Sequence, residues 1–113
     1  VKMMHDGAEM MLEGGDGMAR CGANRLLYVQ NPMNRIAVLT LDLTNYMATI
    51  DGFITSDAFD TPATVAVMGD DVYSANARFN TVPFGTATPE DPYDLVKVHM
   101  GAFGECMMCP AGC

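Results

Sequence analysis

The sequence contains no Trp, only six Lys and Arg residues, two His, and no apolar run near the ~20 residues that a membrane-crossing helix requires. No membrane span is therefore expected. Against those six bases stand 14 Asp and Glu, for a formal charge of -8 and a pI near 4.3. No basic cluster is present to displace the counterions of a phosphate backbone, which argues against a nucleic-acid partner. The glycine-rich stretch Gly14-Gly15-Asp16-Gly17 carries an acid and no Lys, so it would repel phosphate rather than cradle it. No Gly-x-Ser-x-Gly elbow occurs, and neither His5 nor His99 has a Ser or Cys partner at a motif spacing, so nucleophilic catalysis has no signature. The N-terminus lacks the basic start and apolar core of a signal peptide, and there is no Asn-x-Ser/Thr sequon.

Half of the 113 residues are apolar and 18% are charged, the balance of a globular chain with one domain at most. Four cysteines, Cys21, Cys106, Cys109 and Cys113, permit three complete pairings. That number in a small chain points to an oxidising compartment, and a secreted or extracytoplasmic setting is expected. The chain opens with Val1 rather than Met, which suggests a piece of a longer protein.

A search for internal similarity finds two segments with the same order of landmarks. The first has Gly15-Asp16-Gly17-Met18, Tyr28, Asn31 and the apolar run Ile36-Ala37-Val38-Leu39-Thr40-Leu41; the second has Pro62-Ala63-Thr64-Val65, Tyr73, Asn76 and Tyr93-Asp94-Leu95-Val96-Lys97-Val98. Tyr28 to Tyr73 and Asn31 to Asn76 are each 45 positions apart, and Met18 to Val65 is 47. Runs of β-branched, aromatic and apolar residues predict strands over 26–30, 36–41, 47–54, 64–68, 72–75 and 93–100, with Gly69-Asp70-Asp71 as a hairpin turn. Pro83, Gly85, Pro89 and Pro92 make 77–92 a long loop. Short strands recurring at this period predict an all-β chain of two four-stranded antiparallel meanders, the blades of an incomplete β-propeller. The divisions are a lead-in over 1–14, blades over 15–61 and 62–100, and a Cys-rich tail over 101–113. The lead-in is ambiguous, because Met4, Ala8, Met11 and Leu12 have helical spacing whereas an outer strand of a preceding blade also fits.

The run from Gly15-Asp16-Gly17-Met18 through Leu27-Tyr28-Val29-Gln30-Asn31-Pro32 resembles the six-bladed propellers of the SMP-30/gluconolactonase-like family. The second copy, Pro62-Ala63-Thr64-Val65, Val72-Tyr73-Ser74-Ala75-Asn76-Ala77-Arg78-Phe79 and Thr88-Pro89-Glu90-Asp91-Pro92-Tyr93, resembles the same family. The resemblance covers about residues 14–98 and implies a ring completed by further blades, from the same parent chain or from other subunits. In the lactonases of that family a divalent cation such as calcium lies in the channel, held by carboxylate and Asn side chains from several blades, where it polarises an ester carbonyl or activates water.

Asp16 and Ala63 occupy the channel-facing position of the two blades, so Asp16 is the candidate metal ligand and Ala63 offers no donor atom. The competing reading of Asp16 is an Asp-Gly turn-former, and it is favoured. Asn31 and Asn76 follow the second strand of each blade, where they are either binding residues or turn-formers, the second being favoured. Tyr28 and Tyr73 read as aromatics packed between blades. Cys106, Cys109 and Cys113 lie close enough in sequence for a soft-metal or zinc site, with a disulfide preferred and Cys21 as the anchor on the first blade. The 11 methionines are scattered and read as gap-fillers rather than copper ligands. A structural or binding module is the favoured function, and a metal-dependent lactonase is the alternative.

Overall fold

A computed structural model of the chain describes residues 2–83 and 85–106. The described residues form nine strands and two short 3-10 turns, with no α-helix. In chain order the strands are β1 (Lys2–His5), β2 (Ala8–Glu9), β3 (Gly15–Arg20), β4 (Arg25–Gln30), β5 (Arg35–Asp42), β6 (Met47–Ile54), β7 (Pro62–Met68), β8 (Asp71–Asn76) and β9 (Leu95–Val98). Two sheets result, one of six strands in the order β2-β1-β6-β5-β4-β3 and one of three in the order β7-β8-β9. Every pairing is antiparallel except β1 with β6. The all-β expectation holds.

The first sheet contains the expected four-stranded meander, β3 to β6, with β1 and β2 added outside β6. The lead-in is thus extended rather than helical, and it joins this sheet rather than an earlier one. Its hairpin turns at Asp6-Gly7, where φ values of 49° and 78° supply the two left-handed residues of a primed two-residue turn. The second meander has three strands among the described residues, not four. After Val98 the chain enters a 3-10 turn over Gly101–Phe103, and Cys106 is bonded to Cys21 beside the first sheet. That bridge, with a Cα–Cα distance of 4.6 Å, directs the segment away from the edge of β9 that a fourth strand would occupy.

The two sheets pack on one another, with β7 against β3 and β4. Leu27, Val29, Ile36, Val38 and Ile54 of the first meet Val65, Val72, Val96 and Val98 of the second, around the disulfide. Each such aliphatic side chain, fully buried, contributes about 1.5–3 kcal/mol. The backbones approach closely at Gly17, where an added Cβ would lie 2.6 Å from the Cα of Thr64. A second core lies on the opposite side of the first sheet, where the lead-in residues Met3, Met10 and Leu12 cover Ala37, Leu39, Ala48 and Ile50.

The pairing register identifies which residues of the two sheets correspond. Met18 lies opposite Tyr28 and Val65 lies opposite Ser74, so the first strands correspond at 47 positions and the second strands at 46. Several independent features repeat in the same way. One extra residue interrupts β3 between Gly15 and Met18 and β7 between Pro62 and Thr64, placing Asp16 and Ala63 in equivalent bulges. Gly14 and Thr61, which precede these strands, both take a left-handed backbone with φ of 64° and 53°. The spacing of 45 is therefore one residue short: Tyr28 corresponds to Ser74, and Tyr73 to Leu27.

That single residue decides which faces meet. In β4, the Arg25 carbonyl accepts from Cys21 N–H toward β3, while the Asn24 carbonyl accepts from Leu41 N–H toward β5. Leu27 and Val29 share the phase of Arg25, so their peptide groups point back to the preceding strand. In β8 the Asn76 N–H donates to Asp94 O beside β9, and the Ala77 N–H donates to Thr61 O beside β7. Val72 and Ser74 share the phase of Asn76, so theirs point on to the following strand. For L-residues this direction fixes the face taken by the side chain. The sheets consequently stack front to back, through non-equivalent faces, as the layers of a repeating array do.

Candidate functional site

The connection between β6 and β7 runs through the joint of the two sheets, and buried amides hold it. Asn76 Nδ2 donates to Ala58 O at 2.9 Å and to Asp94 Oδ1 at 3.0 Å, while its Oδ1 accepts from Asp60 N–H at 2.9 Å. Its amide is fully engaged with protein groups, which makes it a clamp on the connection rather than a ligand-facing residue. Asn31 Nδ2 donates to Pro62 O, and Asn34, in a left-handed conformation with φ of 54°, bonds Phe59 O and Thr61 N–H. The left-handed turn role expected of Asn31 thus falls to Asn34.

The counterpart of Asn76 is Gln30, 1% exposed, rather than Asn31. Gln30 Nε2 donates to Glu13 O at 2.9 Å, and its Oε1 accepts from Arg35 Nε at 2.8 Å. Glu13 and Asp60 are themselves 47 positions apart, so both amides hold the chain two residues ahead of the following first strand. Asn34 at the joint and Gln30 at the entry to the first sheet are positions that sequence reasoning missed. Spacing alone carried no signal for the shift, because a hairpin connection shortened by one residue or by two keeps the same landmarks in order, and only the pairing register separates them.

Asp60 and Thr61 complete the joint. Asp60 Oδ2 accepts from Thr81 Oγ1 at 2.5 Å and lies 3.6 Å from Arg78 Nε. Asp60 Oδ1 and Thr61 Oγ1 are buried without a hydrogen-bonding partner among the described residues.

Asp16 is exposed in its bulge. Among the described residues no three His, Cys, Asp or Glu side chains are grouped to hold a metal ion, so the donors present do not make a cradle for the divalent cation that the family resemblance implies. Cys106 is bonded to Cys21 and is therefore not a thiolate ligand, which removes it from the three-cysteine metal site; Cys109 and Cys113 lie outside the described residues. The bridge fits an oxidising compartment. Among the described residues no helix is long and apolar enough to cross a membrane.

Two grooves lie on the second sheet and the segment that follows it. A groove of about 450 Å³ beside the β7–β8 turn is lined by Asp70, Asp71, Lys97, His99 and Glu105 among others, with Lys97 Nζ 3.3 Å from Asp71 Oδ1. The outer face of the second sheet carries an uncharged groove of about 290 Å³ formed by Thr64, Ala66, Met68, Tyr73, Ala75 and Leu95. Met68 is 68% exposed and Leu95 72%.

No protein-family model, curated protein or solved structure matches the chain.

Proposed function

We propose that the chain is a stretch of β-propeller, similar to the SMP-30/gluconolactonase-like family, that serves as a structural or binding module completed by further blades. The observation that carries this reading is the front-to-back stacking of two meanders related by a 46–47-residue repeat. Such stacking can continue, and the outer face of the second sheet, which carries a groove of uncharged side chains beside the Lys97–Asp71 ion pair, is the surface on which the next blade would rest. Metal-dependent lactonase chemistry has Asp16 as its candidate carboxylate and gains no metal-holding group of side chains among the described residues. A secreted location accords with the disulfide.

The test is the architecture of the native particle purified without reductant. A ring of stacked four-stranded sheets is expected, with a mass several times the 12.1 kDa of this chain. A native particle of two sheets with both outer faces in solvent would overturn the proposal.

A further inference from the structure

We infer that Met3 and Met10 form an oxidation-sensitive latch on the first sheet: transfer of an oxygen atom from a peroxide to their thioethers releases the lead-in and bares the face beneath it. Continuing the β1–β2 register one place beyond Met4 and Glu9 sets Met10 opposite Met3, and Met10 N–H donates to Met3 O at 2.9 Å. Opposite residues of an antiparallel pair project from the same face, so the two thioethers are neighbours. With Leu12 they pack against Ala37, Leu39, Ala48 and Ile50, the core on the far side of the first sheet. That cover is open to a small oxidant. Met3 and Met10 are only half-buried, and they line a groove of about 170 Å³ with Glu9, Met11 and Leu12. Met100, in the core between the sheets, is 8% exposed, whereas Met11 and Met68 are exposed and belong to neither core.

Oxygen transfer breaks the peroxide O–O bond and forms an S=O bond. The sulfur is oxidised by two electrons, and what remains of hydrogen peroxide is water. The product is a polar sulfoxide on a side chain that was packed as an apolar one. Its oxygen keeps its hydrogen bonds only in water, so packing against Ala37, Leu39, Ala48 and Ile50 becomes unfavourable. The other ties of the lead-in are short. β1 pairs with β6 in parallel from Lys2 to Met4, Lys2 N–H donates to Tyr46 O at 3.1 Å, and His5 Nδ1–H donates to Ile50 O at 3.0 Å. The Cys21–Cys106 bridge lies in the other core and is already oxidised, so the same reagent opens the lead-in and leaves the joint closed.

The experiment treats the full chain, purified without reductant, with graded hydrogen peroxide. Sulfoxide at each methionine is read by peptide mass spectrometry, and opening by amide hydrogen exchange. Met11 and Met68 are expected to oxidise first and to leave exchange unchanged, Met3 and Met10 to follow, and Met100 to be last. Once Met3 and Met10 carry sulfoxide, exchange in β1 and β2 is expected to accelerate by about tenfold or more while β4 and β8 keep their rates. Sulfoxide reductases, one for each epimer, should restore slow exchange. Met3→Leu with Met10→Leu conserves volume and apolarity, and its lead-in is expected to stay closed while Met4, Met11 and Met68 oxidise. Unchanged exchange in chains oxidised at both positions, equal opening of the leucine variant under peroxide, or oxidation of Met3 and Met10 no faster than that of Met100 would each overturn the inference.

Discussion

The first sheet has a hydrophobic core on each side, whereas the second buries one side and presents Met68, Tyr73 and Leu95 on the other. Both follow the same strand plan, with the same bulge, the same left-handed residue ahead of the first strand and the same buried amide. The difference comes from what the rest of the chain brings to each. Residues 2–12 supply the first sheet with two strands and an apolar cover, while the segment following β9 is tied to Cys21 and covers the joint instead. A sheet of this kind does not dictate its own exposure; the segments flanking it do.

The largest effect on this comparison should come from cutting that tie. The bridge spans 85 residues, and closing a loop of that size stabilises by about 4 kcal/mol in the chain-entropy model. Cys21→Ala with Cys106→Ala is expected to lose that amount in chemical unfolding, a large share of the ~5–15 kcal/mol typical of a domain. The loss should be local as well as global. Phe103 packs on the shared core and lies against Gly52 of β6, so amide exchange should accelerate near Gly52 and in β9 before β1 and β2 respond. An unchanged unfolding midpoint would show that the bridge contributes nothing.

The amide clamps offer a sharper contrast. Asn76→Ala leaves Ala58 O, Asp60 N–H and Asp94 Oδ1 without their partner at the joint, and is expected to cost about 2–3 kcal/mol, given ~1–3 kcal/mol for each buried group left unsatisfied and some rescue by water. Gln30→Ala frees two partners rather than three, Glu13 O and Arg35 Nε, both within the first sheet and its entry, and about 1 kcal/mol is expected. Denaturant midpoints of the two variants read the difference. Equal costs would show that the counterpart clamps carry the same load, contrary to the placement of Asn76 between the sheets.

Much of the strand layout was legible because it rests on local chemistry. Alternation and β-branched residues located β4 to β8 to within two residues at either end, and Gly69-Asp70 closes a two-residue turn with Gly69 at φ of 63°. The lead-in was also legible in principle, since Asp6-Gly7 between apolar residues is a strong hairpin signal. The methionine spacing, which fits a helix as well as an edge strand, competed with it. Two properties were not local. The repeat was aligned on its matching tyrosines, which placed Tyr28 and Tyr73 on equivalent faces; only pairing register reveals the one-residue slip that turns one of them to the opposite side. That the described residues after β9 run to Cys21 and form no fourth strand depends on which cysteines pair, and spacing does not select among the three pairings. Of the candidate site residues, Asp16, expected as a channel-facing ligand or a turn-former, lies in the bulge of β3, and the amide of Asn76 is taken up by the connection before β7.

The smallest effect concerns the residue ahead of each first strand, where the two sheets use different side chains for one left-handed conformation. Gly14 takes φ of 64° without penalty, but Thr61 takes 53° with a β-branched side chain, a conformation that costs an L-residue about 1–2 kcal/mol. Its hydroxyl is also buried without a partner among the described residues, which adds about 1–3 kcal/mol to the native state. Against these stand the buried methyl, worth about 0.8 kcal/mol, and the ~0.5–1 kcal/mol of unfolded-state entropy that a new glycine introduces. Thr61→Gly is therefore expected to stabilise by about 1 kcal/mol and to raise Tm by about 4–8 °C. The reciprocal change should not mirror it. A Cβ at position 14 would lie 2.7 Å from Cδ and Cγ of Pro32, so Gly14→Thr adds a steric conflict to the backbone cost and should lower Tm by more than the first change raises it. Calorimetry on both variants reads the asymmetry. A fall in Tm for Thr61→Gly would mean that the threonine hydroxyl or methyl holds the joint more tightly than its backbone strains it, and that positions 14 and 61 are equivalent in shape but not in what they support.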